Sequence, residues 1–233
     1  AAPDDALAAF RHVASHTGPL GLDPLRLAVG GDSAGGNLSA VVALATRGDA
    51  VRPAFQLLIY PATDLTMSFP SIETMGHGLF LERATMDWFL GHYLRGDADR
   101  RDPRASPWLA PDVRGAPPAC IVTAGFDPLR DEGDAYAHKL RDAGVAVTLE
   151  RHTALFHGFI SVCGGLRHAL PPVLEMAAAV RRAIVLASPL EVRGSHLKMQ
   201  MGRIRQATGH RGRDRPNWVP KRKSLATPDG CIA

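Results

Sequence analysis

A serine flanked by closely spaced glycines is the first feature of this sequence that could carry chemistry. Ser33 is the central residue of a G-x-S-x-G pattern that extends from Gly31 to Gly35. The apolar residues of 25–29 predict a buried strand before the pattern, and residues 34–47 are compatible with a helix after it. A sharp strand-to-helix turn strains the serine backbone and exposes its hydroxyl. The pattern predicts a nucleophile for acyl transfer. The alternative is a serine without a catalytic role in a glycine-rich connection.

The same turn places the start of a helix beside the serine hydroxyl. The first N–H groups of a helix have no partner within it and can hold a negatively charged oxygen. The N–H of Ala34, the residue after the serine, is therefore a candidate oxyanion donor. Because strand and helix pass close together here, we expect glycine to be needed at both ends of the pattern, at Gly31 and at Gly35.

A nucleophilic serine needs a base that takes its proton, and histidine is the usual one. His157 lies in the stretch LFHGF, just beyond the last predicted strand at 145–150. Its apolar neighbours favour a neutral imidazole at rest. His152 is the rival, but it lies near the strand end between polar residues. We predict His157 as the base; a structural histidine is the alternative reading.

The base needs an acid that orients it, and in this kind of fold the acid lies between the serine and the histidine along the chain. Asp127 comes four residues after a predicted strand at 119–123. Asp131 and Glu132, within one turn of it, are the nearest competitors. Asp64 follows the strand before that one, so it lies one strand too early in the chain to be the expected acid. Asp127 is the predicted acid, and a role in capping the following turn is its alternative.

Three motifs in this order, GDSAGGN, FDPLRDEG and FHGF, make the sequence similar to the hormone-sensitive-lipase-like family of α/β-hydrolase esterases. The similarity extends over residues 4–187. It implies a triad of Ser33, Asp127 and His157 that hydrolyses small, apolar carboxylic esters of short to medium acyl chain. The two-step acyl transfer that such a triad performs requires no metal and no organic cofactor.

The elements around these residues alternate between helix and strand, which predicts an α/β fold with a mostly parallel sheet flanked by helices. The helices are expected over 4–16, 34–47, 84–94, 133–143 and 173–187, and the strands over 25–29, 54–60, 119–123 and 145–150. In such a sheet, the site lies at the carboxyl ends of the strands.

Residues 63–113 differ in character from the rest of the predicted domain. In the resembled family, the matching segment is part of a cap over the active site. The alternative is an ordinary helical connection with its aromatic residues, Trp88, Phe89 and Tyr93, in the core.

One motif of the resembled family, the loop that supplies most of its oxyanion donors, is not found in this sequence. The family takes further oxyanion donors from an HGG or HGGG loop upstream of the nucleophile, and only 32 residues precede Ser33 here. Loss of one such donor costs about 2.7–4 kcal/mol of transition-state stabilisation. We expect a fold that is incomplete at its N-terminal side. This chain alone should be weakly active or inactive, and prone to aggregate through an exposed sheet edge.

Charge separates a C-terminal segment from the rest. Residues 188–233 hold ten Lys or Arg against three acidic residues, and residues 1–187 hold 17 against 20. We predict an α/β-hydrolase domain over 1–187 and a basic, disordered tail over 188–233. The tail could contact nucleic acid, but no aromatic stacking platform accompanies it, so no nucleic-acid partner is expected.

Cysteine usage and hydropathy bear on the compartment. Cys120, Cys163 and Cys231 lie far apart, which favours free thiols in a reducing cytoplasm. The sequence has neither a signal-peptide pattern at its start nor an apolar run of the ~18 residues that a membrane span needs. The oligomeric state stays open. The leading functional prediction is a serine ester hydrolase; a non-catalytic ligand-binding protein on the same fold and a peptidase are the alternatives.

Overall fold

The structure is a computed structural model that describes residues 1–186. The predicted tail at 188–233 lies outside the described residues, as does residue 187 of the predicted domain.

The centre of the described part is a parallel sheet in which each strand pairs with the next one along the chain. The strands are β1 (Ala28–Asp32), β2 (Phe55–Ile59), β3 (Ala119–Phe126) and β4 (Val147–Phe156). All three pairings are parallel. This order brings the carboxyl ends of all four strands to one edge, and the predicted α/β fold with a parallel sheet is confirmed.

Six helices accompany the sheet in this part of the chain: α1 (Ala2–Ser15), α2 (Ala34–Ala45), α3 (Pro70–Met75), α4 (Arg83–Tyr93), α5 (Arg130–Asp142) and α6 (Leu170–Leu186). One core cluster contains Ala40 of α2 and the buried apolar side chains of α5, and a second contains Met176 and Ala179 of α6. The two clusters hold alternate residues of β2 and β3, which places helices on both faces of the sheet. None of the helices described is both long enough and apolar enough to cross a bilayer.

Several predicted element boundaries are wrong. Strand β1 begins three residues later than predicted and continues through the two glycines before Ser33. Strand β3 extends to Phe126 and β4 to Phe156, because the backbone pairing between them continues past the predicted strand ends, through the polar residues 151–153 of β4. Helix α3 begins in a stretch, 66–71, that reads as a loop in the sequence. Pro70 starts the helix, since its missing N–H costs nothing in the first turn.

Gly125 marks the place where the pairing of β3 with β4 becomes irregular. The register shifts between Ala124 and Phe126. A Cβ atom at Gly125 would lie 2.1 Å from the carbonyl oxygen of Thr153. The strands can approach this closely only because the residue has no side chain.

We therefore expect Gly125→Ala to lower the free energy of unfolding by about 1–3 kcal/mol, the usual cost of forcing extra atoms into a packed site. The measurement is urea denaturation. Gly91→Ala is the matched control, because a Cβ atom there meets nothing within 4 Å and alanine favours the α4 helix. An unchanged stability of Gly125→Ala would contradict this account of the strand approach.

The first strand has an open edge. Within residues 1–186, β1 pairs only with β2, and Ala28 and Gly30 are exposed. A groove of about 470 Å³ runs along this edge between α1 and α2. Unpaired strand edges with apolar surroundings promote pairing between molecules. The open edge supports the prediction that this chain aggregates, which stays a prediction.

Candidate active site

Ser33 occupies the turn between β1 and α2 in a strained backbone conformation. Its φ is +53° and its ψ is −116°, outside the regions that a residue with a side chain normally adopts. Its N–H donates to the carbonyl oxygen of Ile59 at 2.8 Å, which ties the turn to the end of β2. The serine is thus held at the carboxyl edge of the sheet, directly before the first N–H groups of α2, including that of Ala34.

The two glycines of the G-x-S-x-G pattern do not play equal parts. A Cβ atom at Gly31 would lie 2.6 Å from the backbone carbon of Gly35, so the prediction is confirmed there. At Gly35 itself a Cβ atom would meet nothing within 4 Å, and the prediction is wrong. The close approach on the helix side is at Gly36, where a Cβ atom would lie 2.9 Å from the Cβ atom of Pro61.

The structure brings the serine, the histidine and the aspartate of the three motifs into one hydrogen-bonded row. The Nε2 atom of His157 lies 3.0 Å from Oγ of Ser33, and its Nδ1 atom lies 2.8 Å from Oδ2 of Asp127. The carboxylate is fully buried, and the histidine is 6% exposed. With Nδ1 protonated, the ring donates to Asp127, and Nε2 accepts the hydroxyl proton of Ser33. The row is therefore arranged to move a proton away from the serine.

Asp127 divides its two oxygens between two tasks. Oδ2 faces the imidazole, and Oδ1 accepts a hydrogen bond from the N–H of Leu129 at 2.8 Å. Strand β3 ends at Phe126, so the aspartate follows it directly and not after four residues. The predicted acid position and its turn-capping alternative are thus compatible, because the turn holds the carboxylate in place for the histidine.

The rival carboxylates have other partners. Asp64 accepts hydrogen bonds from Thr66 and Ser68 in its own loop. Asp131 accepts from the N–H of Ser71 at 2.9 Å, which links α5 to α3.

Glu132 and His152, the two other rivals, also point elsewhere. Glu132 is fully buried and accepts from the N–H groups of Thr63 and Asp64 at 2.6 Å and 3.0 Å. His152 lies within β4, paired with Ala124, and neighbours Glu150. None of the four rivals belongs to the row that contains Ser33.

Tyr60 is a site residue that sequence reasoning missed. Its ring packs against the imidazole of His157, with centroids 4.6 Å apart, and its hydroxyl donates to Oδ2 of Asp32 at 3.3 Å. Burial, together with the nearby charge of Asp32, raises the pKa of Tyr60, so the phenol stays neutral. The residue supports one side of the imidazole ring. Its only sequence signal is an aromatic residue at the end of a buried strand.

Asn37 is a second missed residue, although it belongs to the GDSAGGN motif. Its side-chain amide donates to the carbonyl oxygens of Ala62 and Ala105, each at 2.7 Å. These bonds tie both ends of a long segment to the first turns of α2, beside Ser33. A polar residue on the buried face of a predicted helix was the available signal.

A cavity of about 640 Å³ opens beside Ser33. Residues of the 63–113 segment supply most of its apolar wall: Leu65, Met67, Ile72, Leu81, Met86, Phe89, Leu90 and Tyr93. The polar groups of Ser33, Asn37, Asp64 and Glu132 also border it. The large aromatic residues of α4 are not core residues, since Trp88 is 61% exposed and Phe89 is 53% exposed. The alternative that places them in the core is wrong.

The family follows from this fold and this site together. A family profile described as alpha/beta hydrolase fold matches residues 1–161. The chain belongs to this family, and the resemblance based on the three motifs is confirmed.

Individual relatives are ester hydrolases. The chain is 48% identical to the carboxylic ester hydrolase LipN of Mycobacterium tuberculosis over 169 residues, which is 70% of this chain and 45% of LipN. It is 43% identical to the ethyl acetate hydrolase of Pseudomonas putida, over 68% of this chain and 51% of that protein. The chain thus spans about half the length of these curated relatives.

Solved structures agree with the fold. The thermostable carboxylesterase EstE1, cloned from a metagenomic library, superposes with a TM-score of 0.76 at 38% identity, over 80% of this chain and 64% of EstE1. An ester hydrolase from the Lake Arreo metagenome, solved with a bipyridine phosphonate derivative, superposes with a TM-score of 0.73 at 46% identity. That match covers 80% of this chain and 59% of the hydrolase.

Proposed function

We propose that this chain carries the catalytic residues of a serine carboxylic ester hydrolase. The observation that supports the proposal most is the row of Ser33, His157 and Asp127, with contacts of 3.0 Å and 2.8 Å. A hydroxyl, an imidazole and a buried carboxylate in this order form the arrangement that acyl transfer requires. The names of the relatives, which describe ester hydrolases, support the same reaction.

The reaction proceeds in two steps that use the same groups. The Oγ atom of Ser33 attacks the ester carbonyl carbon while Nε2 of His157 takes the hydroxyl proton. Asp127 stabilises the imidazolium, and the N–H of Ala34 faces the oxygen that becomes negative. The alcohol leaves with the proton from His157, and the acyl group stays on Ser33. Water then attacks the acyl-enzyme with the same histidine as base, which releases the acid and restores the serine.

We propose small, apolar esters of short to medium acyl chain as substrates. The apolar wall of the cavity beside Ser33 supports this class, since it offers alkyl groups a surface that excludes water. The ethyl acetate hydrolase among the relatives supports the lower end of the size range. The intact row of three side chains favours an enzyme over a non-catalytic ligand-binding protein. A peptidase would show amide turnover comparable to ester turnover.

Other proposals concern the organisation of the chain. We retain a domain over 1–187 in which residues 63–113 act as a cap, supported by their share of the cavity wall, and a basic tail over 188–233 with no nucleic-acid partner. We also propose weak or no turnover by this chain alone, which the unpaired edge of β1 within the described residues supports. A cytoplasmic location is supported by the two described cysteines, which are both free thiols.

An activity-based probe tests the proposed nucleophile. We expect a fluorophosphonate to label the folded chain at one site, Ser33, identified by mass spectrometry of its peptides. Within residues 1–186, Ser33 is the serine whose hydroxyl contacts an imidazole that a buried carboxylate holds. Ser33→Ala should remove the label. Ser15→Ala is the matched control and should keep it, since Ser15 is exposed and bonds only to α1 and its end.

Two results would contradict the proposal. A folded chain that stays unlabelled would favour the ligand-binding protein, and a label on another serine would show that the nucleophile is misassigned.

A further inference from the structure

A second group of chemically capable side chains lies between the edge strand β4 and helix α6, away from the row that contains Ser33. Glu150 and His152 are two residues apart on β4, so they share one face of the sheet. Glu175 faces them from α6. One nitrogen or oxygen atom of each residue lies within 4.8 Å of the corresponding atoms of the other two. The proposed ester hydrolysis uses none of the three.

Two of these atoms are buried and unsatisfied. The Oε2 atom of Glu150 and the Nε2 atom of His152 have no hydrogen-bond partner. They lie 3.9 Å apart, which is too long for a hydrogen bond between them. Burying a polar atom without a partner is costly, so an arrangement of this kind is expected where something else binds both atoms.

The chemistry of the three side chains fits a metal cation. An imidazole nitrogen and two carboxylate oxygens are ligands that Zn²⁺ accepts, at about 2.0–2.2 Å each. Two such ligands on a tetrahedral ion lie about 3.4 Å apart, by the same geometry. The observed 3.9 Å therefore needs a side-chain shift of only about half an ångström. Glu175 is exposed, and its carboxylate oxygen already lies within 4.8 Å of the other two ligand atoms.

Cys120 is a neighbour that we leave out of the ligand set. It is fully buried on β3. Burial, with a smaller effect of the Glu150 charge, raises the pKa of its thiol to about 12. Its Sγ atom is not among the ligand atoms that come together here, so the set remains one nitrogen and two oxygens.

We propose that Glu150, His152 and Glu175 form a binding site for a divalent transition-metal ion. The ion joins α6 to the end of the sheet, on the strand that leads to His157 five residues later. Its role is structural, and the inference does not depend on the esterase proposal. A mixed nitrogen and oxygen set prefers Zn²⁺ to Mg²⁺.

The competing explanation is ionic. The nearby Arg182 of α6, whose charge acts on Cys120, would offset the carboxylate charge without any metal. That explanation predicts no specific response to Zn²⁺, which makes the two accounts separable.

The test measures the thermal unfolding of the 233-residue chain, first stripped with a chelator, with and without Zn²⁺. Saturating Zn²⁺ should raise the unfolding midpoint by about 4 °C or more, and the same concentration of Mg²⁺ should not. Glu175→Gln removes one ligand from an exposed position and should fold normally. The apparent Zn²⁺ affinity should fall at least about tenfold in this variant, the range seen when metal-site partners are lost.

A pair of histidines on another part of the surface provides the matched control. His12 and His16 stack on the exposed surface of α1, with centroids 4.2 Å apart, and could bind Zn²⁺ by themselves. If the response comes from the proposed site and not from this pair, His16→Gln leaves it unchanged. Visible absorption on titration with Co²⁺ provides a second readout of the same ligands. A missing Zn²⁺ response, an apparent Zn²⁺ affinity that Glu175→Gln leaves unchanged, or a response that His16→Gln removes would each overturn the proposal.

Discussion

Replacing His157 with glutamine should slow fluorophosphonate labelling of Ser33 by about 10²- to 10⁴-fold, the usual contribution of a general base. The labelling rate is the appropriate measurement because it reports activation of the hydroxyl without requiring complete turnover. Glutamine retains a polar side chain of similar reach, but it cannot take the serine proton. The 3.0 Å contact between Nε2 and Oγ would therefore lose its chemical role.

The effect of the histidine should depend on its carboxylate partner. Asp127→Asn replaces an acceptor at Nδ1 with an amide that can donate, which favours the tautomer whose Nε2 is protonated. In that tautomer the ring cannot accept from Ser33. We expect a loss of labelling comparable to that of His157→Gln, and the double variant should be little worse than either single one.

His138→Gln is the control for a histidine change of the same kind. His138 lies on α5 with an exposed side chain whose contact is with Arg151. Its labelling rate should match that of the unmodified chain. An undiminished rate in His157→Gln would contradict the role of this histidine as base, whatever the turnover of the chain.

The sequence was sufficient to select these three side chains because their identities depend on local patterns. A serine in a glycine turn, an aspartate after a buried strand and a histidine in an apolar loop can each be recognised from neighbouring residues. Their order along the chain then excludes many combinations. The parallel pairing of β1 with β2 likewise follows from the strand, helix and strand that succeed one another along the chain.

What the sequence did not predict depends on contacts between distant segments. The support that Tyr60 gives to His157 joins residues from two different strand ends. The close approach at Gly36 is made to Pro61, which no local pattern reveals. Residues 124–126 of β3 and 151–153 of β4 are in strands because the two segments pair with each other, although a glycine in the first and polar residues in the second do not favour this.

Glu132 shows this limit most clearly. In the sequence it is one of several acidic residues after β3, and it competes with Asp127 for the same role. In the structure it is fully buried, and Oε1 accepts the N–H groups of Thr63 and Asp64. Its Oε2 atom has no hydrogen-bond partner. The residue therefore anchors the start of the 63–113 segment, which forms much of the cavity wall beside Ser33.

Glu132→Ala should lower the free energy of unfolding by about 2–6 kcal/mol, since it leaves two buried N–H groups without an acceptor at about 1–3 kcal/mol each. Glu132→Gln should behave differently. Its amide oxygen can still accept both N–H groups, and its NH₂ group occupies the position of the unpartnered oxygen. Urea denaturation of both variants measures the difference between them.

The pH dependence tests the charge state of the buried carboxyl. Burial raises the pKa of Glu132 well above its ordinary value, and the nearby charges of Asp64 and Asp127 act in the same direction. The unfolded chain therefore releases a proton that the folded chain retains. It follows that the contribution of Glu132 to stability decreases as the pH rises from about 4.3, the ordinary glutamate value, up to the folded pKa. The slope in this window is about 1.4 kcal/mol per pH unit.

Glu132→Gln removes the difference in proton binding between the folded and unfolded chain at this position. The stability of the variant relative to the unmodified chain should therefore increase between pH 5 and the folded pKa of Glu132. Glu82→Gln is the matched control, because Glu82 is exposed before α4 and makes no side-chain capping bond. Its relative stability should not change with pH over this window. A constant difference between Glu132→Gln and the unmodified chain would mean that Glu132 is ionised in the fold. The anchor would then be a charged carboxylate held by two N–H groups.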